Sequence, residues 1–416
     1  MSQIPLSQLT RVFGRIGVTS FGGPAAQIAM MHEALVTERK WLSESQFLSA
    51  LSFCMLLPGP EAMQLATYSG WKLRGISGGL IAGLLFVLPG AAVILALAIG
   101  YAYWGDIPFV QSAFTGIKAA VVVIVFQALY RVAQKALKSP SAWVLAGLSF
   151  LGLFLFDLPF PLIIAIAALW GATRPIDETV VAASRPTGIG TLGTVFVWSG
   201  LWVLPVLFLW AIGADFLTEI AFFFSKLAVV TFGGAYAVLA YMAQEVIGHH
   251  HWLTPTEMVD ALGLAETTPG PLILVTEFVG LLAGFKEGGL TLAIWSGIVT
   301  LWVTFVPCFL WIFSAAPYLE WISSQPRPAR ALQAITSAVV GVILNLSIWF
   351  TLHVLFTEIT ATTYGPLSLL TPNLSSFQPS AIVLAVFTAA LLIWRRMGIL
   401  STLALVAVAG LLLGAI

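Results

Sequence analysis

The chain has 416 residues, of which 59% are hydrophobic and only 9% are charged, and its formal net charge is zero. Soluble domains usually carry about a quarter charged residues, so this composition excludes a water-soluble globule and predicts an all-α polytopic membrane protein in a lipid bilayer. The neutral balance also excludes a basic surface for nucleic acid, and continuous rather than alternating apolar runs argue against a β-barrel.

Two stretches near the N-terminus interrupt the apolar sequence with glycine and proline. They comprise Ser20, Phe21, Gly22 and Gly23 in the first stretch, and Pro58, Gly59 and Pro60 in the second. Because proline breaks a running helix but suits the first position of a new one, each stretch predicts a helix stop followed by a fresh start. Broken backbone is tolerated at membrane depth only where it is buried in protein or lines a wet cavity.

Longer apolar segments follow along the chain and predict membrane-spanning helices, since about 20 apolar residues cross a bilayer core. The predicted spans are 76–103, 110–131, 140–156, 158–173, 192–213, 290–315, 335–356, 379–394 and 398–416. No nucleotide-binding motif is present, so we expect no cofactor and no ATP-driven pump within this chain.

The second half of the chain repeats the first, mostly 211 positions later. The counterparts of the first-half motifs are Thr231, Phe232, Gly233 and Gly234, and then Pro269, Gly270 and Pro271. Further on, Gly78-Gly79 aligns with Gly288-Gly289. The sequence therefore predicts a first transmembrane repeat at 1–190, a linking helix at 191–214 and a second repeat at 215–416.

The linking helix has no counterpart, and one extra crossing would invert the second repeat relative to the first. Cytoplasmic loops collect Lys and Arg, which tests this topology. With Lys72 and Arg74 placed inside, the residues that also fall inside are Arg131, Lys135, Lys138, Arg174, Arg185, Arg327, Arg330, Arg395 and Arg396. Lys226, Lys286 and the C-terminus fall outside. The connector 31–44 is placed inside, which makes 11–40 and 45–72 re-entrant hairpins; two full crossings remain the alternative.

Four broken stretches, two in each inverted repeat, are typical of a transporter substrate site. Helix N-termini offer free N–H groups and the positive end of the helix dipole, so their convergence would suit a small multivalent oxyanion. The candidate site consists of the seven residues of each repeat's two motifs together with Thr267 and Thr268. Hydroxyls of Ser20, Thr231, Thr267 and Thr268 would add donors. The alternative is that the motifs are kinks that pack helices closely.

The paired Phe-Gly-Gly, Trp-Leu and Pro-Gly-Pro motifs and the later "FVLPG" at 86–90 resemble the chromate ion transporter family, in its long two-domain ChrA-like form. The resemblance covers essentially the whole chain. It implies export of chromate, a tetrahedral dianion similar to sulfate, across the bacterial inner membrane, with chromate resistance as the result. Members of such a family need not all carry chromate.

Charged residues in the apolar sequence are the candidates for coupling or counter-charge, because intramembrane ionisable groups are usually functional. They are Glu61, Lys118, Glu266 and Glu277. Glu61 begins the helix after Pro-Gly-Pro, where it either caps the helix or exchanges a proton as the anion binds. Lys118 either snorkels to the membrane surface or faces the anion. Arg15 and Lys226 could attract anions to the two entrances or simply anchor helix ends.

No metal site is expected, because no Cys or Asp cluster accompanies His249-His250-His251. The sequence thus predicts a secondary transporter or uniporter for a small inorganic oxyanion, and no enzyme. An oxyanion channel and a transporter for another anion such as sulfate remain alternatives. A membrane-embedded enzyme would need a clustered nucleophile or metal set. A homodimer is left open.

Overall fold

The computed structural model describes residues 4–174, 190–232, 234–323, 325–365 and 367–414. The first half is built from helices. They are α1 (Leu6–Thr19), α2 (Gly23–His32), α3 (Glu44–Leu56), α4 (Glu61–Trp104), α5 (Pro108–Ala136), α6 (Pro140–Phe156) and α7 (Phe160–Ala172). Of these, α6 and α7 begin and end within two residues of the predicted spans 140–156 and 158–173. A π-helical turn, Glu33–Glu38, extends α2.

The second half contains further helices and one two-stranded hairpin. The helices are α8 (Thr191–Ala211), α9 (Asp215–Val230), α10 (Ala235–Gly248), α11 (Pro255–Thr267), α12 (Val275–Ala315), α13 (Leu319–Ser323), α14 (Pro326–Leu355), α15 (Pro379–Ala389) and α16 (Ile399–Gly414). Short 3-10 turns occupy Leu272–Leu274, Ala316–Tyr318 and Leu374–Ser376, and a π-helical turn, Ala390–Trp394, follows α15. Strands β1 (Ile359–Tyr364) and β2 (Leu367–Pro372) pair antiparallel, from Ile359 opposite Pro372 to Tyr364 opposite Leu367.

Local sequence explains several helix starts. Ser43 and Gln46 form a reciprocal capping box at the start of α3, so two otherwise unpaired amides are satisfied. Ser139 accepts a hydrogen bond from the amide of Ala142, and Pro140 takes the first position of α6, where no amide donor is needed. The helix boundaries in these places follow from a few neighbouring residues.

Both long helices that follow a Pro-Gly-Pro motif contain a backbone break. The non-helical residues are Arg74 and Gly75 in α4, and Gly288 and Gly289 in α12. Gly75 and Gly289 have φ angles of 64° and 71°, which glycine adopts without steric cost. The chain folds back at each break, since Gly70 packs directly on the backbone of Gly78, and Gly284 on that of Leu292.

These breaks correct the predicted alignment of Gly78-Gly79 with Gly288-Gly289. The break at Gly288-Gly289 corresponds instead to Arg74-Gly75, which lies four positions earlier in the first half. The 3-10 turn Leu272–Leu274 accounts for most of the shift, because it inserts three residues between Pro271 and α12. In the first half, α4 begins directly after Pro60.

Five helical stretches among the described residues are long and apolar enough to cross a membrane. They are Glu61–Trp104, Pro108–Ala136, Thr191–Ala211, Leu272–Ile322 and Pro326–Leu355. Together with the shorter apolar helices, they confirm an all-α polytopic membrane protein. Helix α7 has 13 residues, or about 20 Å at the helical rise, which is short for a bilayer core. The crossing number, and therefore the inversion of the repeats, stays a prediction.

The segment predicted as two re-entrant hairpins contains α1, α2, α3 and the part of α4 that precedes the break at Arg74-Gly75. Helices α1 and α3 have 14 and 13 residues, each about 20 Å long, whereas a bilayer core is about 30 Å thick. The connector between Glu38 and Ser43 carries Arg39 and Lys40. These lengths favour the re-entrant arrangement over two full crossings.

The described chain divides into two compact units, and each takes segments from both predicted repeats. Unit 1 comprises Met1–Ile99, Pro175–Ala235 and Thr268–Ala329. Unit 2 comprises Gly100–Arg174, Tyr236–Thr267 and Arg330–Ile416. The units are therefore not the predicted repeats at 1–190 and 215–416. Those repeats describe a duplication in the sequence, and they stay a prediction.

Each unit has its own packed interior. In unit 1, Trp302 on α12 donates to the carbonyl oxygen of Leu201 on α8 at 2.8 Å. Helix α8 otherwise presents apolar side chains outward, and Phe196 is 82% exposed, as expected for a lipid-facing helix. In unit 2, α5 packs closely on α16, because Gly116 leaves no side chain between its backbone and the carbonyl of Val406.

Candidate functional site

The four glycine- and proline-containing motifs meet in unit 1, where two backbone hydrogen bonds join them crosswise. The amide of Gly59 donates to the carbonyl oxygen of Thr231 at 2.9 Å. The amide of Gly270 donates to the carbonyl oxygen of Ser20, also at 2.9 Å. Ser20 and Thr231 occupy equivalent positions in the two halves, as do Gly59 and Gly270. Each Pro-Gly-Pro motif therefore binds the Phe-Gly-Gly motif of the other half, and we call this arrangement the crossed loops.

The predicted helix stops and starts at these motifs are confirmed. Helix α1 ends before Ser20 and α9 ends before Thr231. Helix α2 begins at Gly23 with Pro24 in its first turn, and α4 begins directly after Pro60. The stop at Pro271 is followed by the 3-10 turn before α12 begins. Gly233, predicted as part of the site, lies outside the described residues.

The backbone conformation of the crossed loops explains why glycine occupies several of their positions. Their φ angles are positive, where an L side chain is strained. The values are 88° for Gly22, 77° for Gly23, 122° for Gly59, 101° for Gly234 and 88° for Gly270. Phe21 and Phe232 each form a tight backbone turn, with their amides donating to Thr19 and Val230.

Two glutamines that the sequence motifs did not indicate hold the Pro-Gly-Pro motifs. Gln27 on α2 donates from Nε2 to the carbonyl oxygen of Gly270 at 2.6 Å and to that of Ser20 at 3.3 Å. Gln64 on α4 donates from Nε2 to the carbonyl oxygen of Pro58 at 2.6 Å. Both side chains are buried. The sequence signal that could have indicated them is a glutamine in a mainly apolar stretch, three residues after Pro24 for Gln27 and three residues after Glu61 for Gln64.

The Pro-Gly-Pro glycines do not offer their backbone to a ligand as predicted. Their amides are taken by the crossed hydrogen bonds. A Cβ on Gly59 would lie 2.7 Å from Nε2 of Gln64, and one on Gly270 would lie 3.0 Å from Cδ1 of Leu274. These two glycines therefore allow close packing of protein on protein, which is the alternative that the sequence analysis left open.

Gly23 and Gly234, the second glycines of the two Phe-Gly-Gly motifs, differ because they border open space. Among the described residues, a Cβ on Gly23 would meet no heavy atom within 4 Å. A Cβ on Gly234 would lie 4.0 Å from Oε1 of Glu61 and meet nothing nearer in the described part of the chain. The starts of α2 and α10 in the crossed loops are thus the places where a ligand can approach backbone.

The hydroxyl groups of the candidate site have different roles. Thr231 donates from Oγ1 to the carbonyl oxygen of Leu227 at 2.5 Å, so its hydroxyl proton is already used within α9. In unit 2, Thr267 donates to the carbonyl oxygen of Leu264 at 2.7 Å. Ser20 is fully buried, and its Oγ has no hydrogen-bond partner among the described residues. Thr268 is also buried. Ser20 is the hydroxyl best placed to donate to a ligand.

Two candidate carboxylates lie in unit 1. Glu61 is the first residue of α4, and its Oε1 lies beside Gly234, next to the start of α10. A negative charge is favourable there, since the helix dipole is positive at that end. Glu277 is buried near the start of α12, and its Oε2 has no hydrogen-bond partner in the described part of the chain. Glu61 therefore stands at a position that a bound anion would also favour.

The other two candidate charges lie in unit 2, each with a side-chain partner. Glu266 accepts a hydrogen bond from the hydroxyl of Tyr236 at 2.8 Å. Lys118 pairs with Asp260, with 3.1 Å between Nζ and Oδ1. Asp260 also accepts from the hydroxyl of Tyr101 at 2.7 Å. Asp260 was missed, because it lies in the first half of α11, where a polar residue looks ordinary.

Arg15 and Lys226, the candidate entrance residues, are both exposed near the ends of α1 and α9. Each lies six residues before the phenylalanine of a Phe-Gly-Gly motif, Phe21 or Phe232. His249 and His251 are exposed and His250 is partly buried. They make local contacts, including 2.8 Å from Nδ1 of His251 to the carbonyl oxygen of Ile247. The arrangement of Arg15 and Lys226 fits either anion attraction or helix anchoring.

The sequence matches the family model described as chromate transporter, separately over residues 7–172 and 218–415. This chain belongs to the chromate transporter family. It is 28% identical to the chromate transport protein of Cupriavidus metallidurans over 348 residues, covering 81% of this chain and 80% of that protein. It is 28% identical to a probable chromate transport protein of Synechococcus elongatus over 342 residues, covering 81% and 82%.

A third relative in the chromate transporter family is the chromate transport protein of Pseudomonas aeruginosa. The identity is 29% over 349 residues, covering 81% of this chain and 79% of that protein. No solved structure matches this chain. Membership of this family and the apolar helices together establish a multi-pass membrane transporter fold, and the crossed loops are the candidate substrate site.

Proposed function

We propose that this protein is a secondary transporter that exports chromate across the bacterial inner membrane and thereby gives chromate resistance. The family and the names of the relatives in Cupriavidus and Pseudomonas support chromate as the substrate. The observation that carries the proposal is the pair of crossed hydrogen bonds, Gly59 to Thr231 and Gly270 to Ser20. They bring two broken-helix motifs from each half of the chain together, as inverted-repeat transporters do at their substrate sites.

The anion would bind at the Phe-Gly-Gly side of the crossed loops. The starts of α2 and α10 provide backbone donors beside open space at Gly23 and Gly234. The buried hydroxyl of Ser20 adds a donor. Glu61 lies beside the same helix start as Gly234, so a bound dianion would repel it. That repulsion gives Glu61 a reason to take up a proton or to move as the substrate binds.

The two halves of the chain would form inverted repeats, with the C-terminus outside. The two separate family matches, 7–172 and 218–415, support the duplication. Two similar backbone breaks, at Arg74-Gly75 and Gly288-Gly289, support a common fold of the two halves. Helix α8, between the halves, supplies the extra crossing that inversion needs.

Export does not require a coupled ion. A dianion that leaves an inside-negative cell gains about 4.6 kcal/mol per 100 mV, which is twice the value for a single charge. This free energy supports a concentration ratio of more than about a thousandfold. Proton coupling through Glu61 is therefore an addition to the mechanism, and membrane potential alone can drive export.

Transport into inverted membrane vesicles tests the proposal. Labelled chromate should accumulate when an inside-positive potential is imposed, and sulfate and molybdate should be tested as competitors. A carrier should saturate at low chromate concentration, whereas a channel would pass current with weak saturation. Accumulation of another anion with no response to chromate would contradict the proposed substrate, and unsaturable current would contradict the carrier.

A further inference from the structure

Unit 2 contains a polar cavity that the crossed loops do not explain. Its volume is about 380 Å³, more than ten times the share of one water molecule in the liquid, about 30 Å³. Its polar lining consists of Thr115, Lys118, Thr256, His353, Thr357 and Gln378. None of the described lining residues is acidic. A cavity with a lysine, a histidine, hydroxyls and an amide is suited to an anion.

The cavity reaches inward from one end of unit 2. It lies where α5 and α11 begin, α14 ends and the chain enters α15. Lys118 is ten positions after the first residue of α5, or about 15 Å along the helix. An anion in the cavity could therefore contact Lys118 about 15 Å from the start of α5, within the apolar sequence of that helix.

Two helix starts add positive potential to the cavity. Thr256 is the second residue of α11, and Gln378 immediately precedes α15. The dipole of each helix is positive at its N-terminus and favours an anion. At α11, the carboxylate of Glu257 accepts from the amide of Thr254 at 2.7 Å and offsets part of that potential, so α15 contributes more. The contribution from Lys118 is separate, because its charge lies on a third helix that lines the same cavity.

Lys118 forms an ion pair with the carboxylate of Asp260, which would compete with an anion in the cavity for the same ammonium group. Its Nζ lies 3.1 Å from Oδ1 of Asp260, whose side chain is completely buried, while 14% of the lysine side chain is exposed. Tyr101 fixes Asp260 by a 2.7 Å hydrogen bond to Oδ2. An ammonium group has three N–H donors. Lys118 can therefore keep Asp260 and still donate toward the cavity.

We infer that this cavity is a second oxyanion-binding site, in which Lys118 binds the anion and Asp260 weakens that binding as a built-in competitor. The site lies apart in the sequence from the crossed-loop motifs, and its ligand would be a tetrahedral dianion. That choice among anions rests on the proposed function. A weak site of this kind would hold the anion near one end of the unit and release it readily.

Thiol protection in the purified full-length protein tests the site without any need for transport. Thr357 is exposed and lines the cavity, whereas the native Cys54 and Cys308 are buried. In a Thr357→Cys background, sulfate should slow modification by N-ethylmaleimide several-fold relative to chloride at equal ionic strength. Sulfate is the probe because chromate oxidises thiols. No slowing by sulfate would overturn the inference.

Two further substitutions should act in opposite directions. Asp260→Asn should lower the sulfate concentration that gives half protection by about tenfold or more, since it removes a charge adjacent to Lys118. Lys118→Met should abolish protection, while Lys135→Met, at an exposed lysine on the same helix, should not. A purely structural ion pair predicts no gain with Asp260→Asn, so equal or weaker protection in that variant overturns the inference.

Lys118→Met leaves the buried Asp260 without its partner, which can prevent folding. The double substitution Lys118→Met/Asp260→Asn removes both charges, and the folded double variant should show no protection. Protection that persists in it overturns the site. Vesicle transport is scored separately: chromate transport without thiol protection refutes this site alone, and protection without chromate transport refutes the proposed function alone.

Discussion

Two buried glutamine side chains, Gln27 and Gln64, hold the crossed loops through backbone carbonyl groups. Each donates at 2.6 Å, to Gly270 and Pro58 respectively. Neither glutamine has an equivalent in the other half of the chain, since Val238 stands 211 positions after Gln27, and Phe278 stands 214 positions after Gln64, beyond the three-residue insertion. The two Pro-Gly-Pro motifs are therefore fixed by the same chemistry from non-equivalent positions.

Replacement of either glutamine by leucine should loosen one loop. Gln27→Leu leaves the buried carbonyl of Gly270 without its side-chain donor, and Gln64→Leu does the same to the partly buried carbonyl of Pro58. Each substitution should lower the free energy of unfolding by about 1–3 kcal/mol, with the larger effect at Gln27. Thermal unfolding in detergent and chromate uptake measure the effect, and both should fall. Gln134→Leu, at an exposed position of α5, is the matched control. An unchanged melting temperature for both buried variants would show that the glutamines do not support the loops.

Glu61 is the second test at this scale. If Glu61 takes up a proton as the anion binds, Glu61→Gln should bind the anion equally well or more tightly, without dependence on pH. Uptake driven by membrane potential should persist, because the charge of the dianion supplies the force. Uptake driven by a pH gradient alone should vanish. If Glu61 only caps α4, the substitution should cost a few tenths of a kcal/mol and leave the pH profile of anion affinity unchanged.

At the scale of the element, the broken helices combine two kinds of glycine. Gly59 is enclosed by Gln64 and Cys308, whereas Gly23 borders open space. Both have positive φ, so both carry a backbone reason for glycine. Gly59 is therefore needed for the loop to pack, whereas Gly23 leaves space in which a ligand could approach the backbone.

Substitutions at these two glycines should therefore differ. Gly59→Val should abolish transport, partly because less protein folds. The Cβ of the new side chain would lie 2.7 Å from Nε2 of Gln64. Gly23→Ala costs only the left-handed backbone conformation, about 1–2 kcal/mol, and should insert and fold. Its methyl group would narrow the open space at the start of α2 and so weaken anion affinity. Normal transport by Gly59→Val and Gly270→Val together would mean that these motifs are dispensable kinks.

At the scale of the whole molecule, the open question is the orientation of the two halves. The linking helix α8 presents Leu192, Phe196 and Trp210 outward, at 83%, 82% and 67% exposure. Such a surface is stable only against lipid or another apolar surface. A crossing by α8 gives the second half the opposite orientation, provided that the first half crosses an even number of times.

Cysteine labelling in intact cells tests this orientation. Cysteines near Arg74, Lys138 and Arg330 should be protected from an impermeant reagent, and those near Gly105, Lys286 and Ser368 should react. Arg185, also expected inside, lies outside the described residues. Labelling of positions 74 and 286 from the same side would contradict the inverted repeats, since these positions lie close to the two equivalent backbone breaks.

The sequence by itself determined the membrane class, the bounds of several spanning helices and the four helix breaks. Span 140–156 agrees with α6 to the residue, and 192–213 differs from α8 by one or two residues at each end. These features depend on local chemistry: apolar length fixes a span, and proline or glycine fixes a break within a few residues. The register of Gly288-Gly289 was wrong because a three-residue 3-10 turn has no strong local signature.

The tertiary structure alone decided which groups meet. Gln27 and Gly270 are 243 residues apart, and Lys118 and Asp260 belong to different halves of the chain. The periodicity of the sequence does not indicate such a pairing, because each residue is compatible with its own local backbone whether or not its partner is present. The structure also placed the amides of Gly59 and Gly270 in the crossed hydrogen bonds and left Gly23 and Gly234 beside open space. A buried polar group must find a partner when the chain packs, and only the packed chain determines which one is within reach.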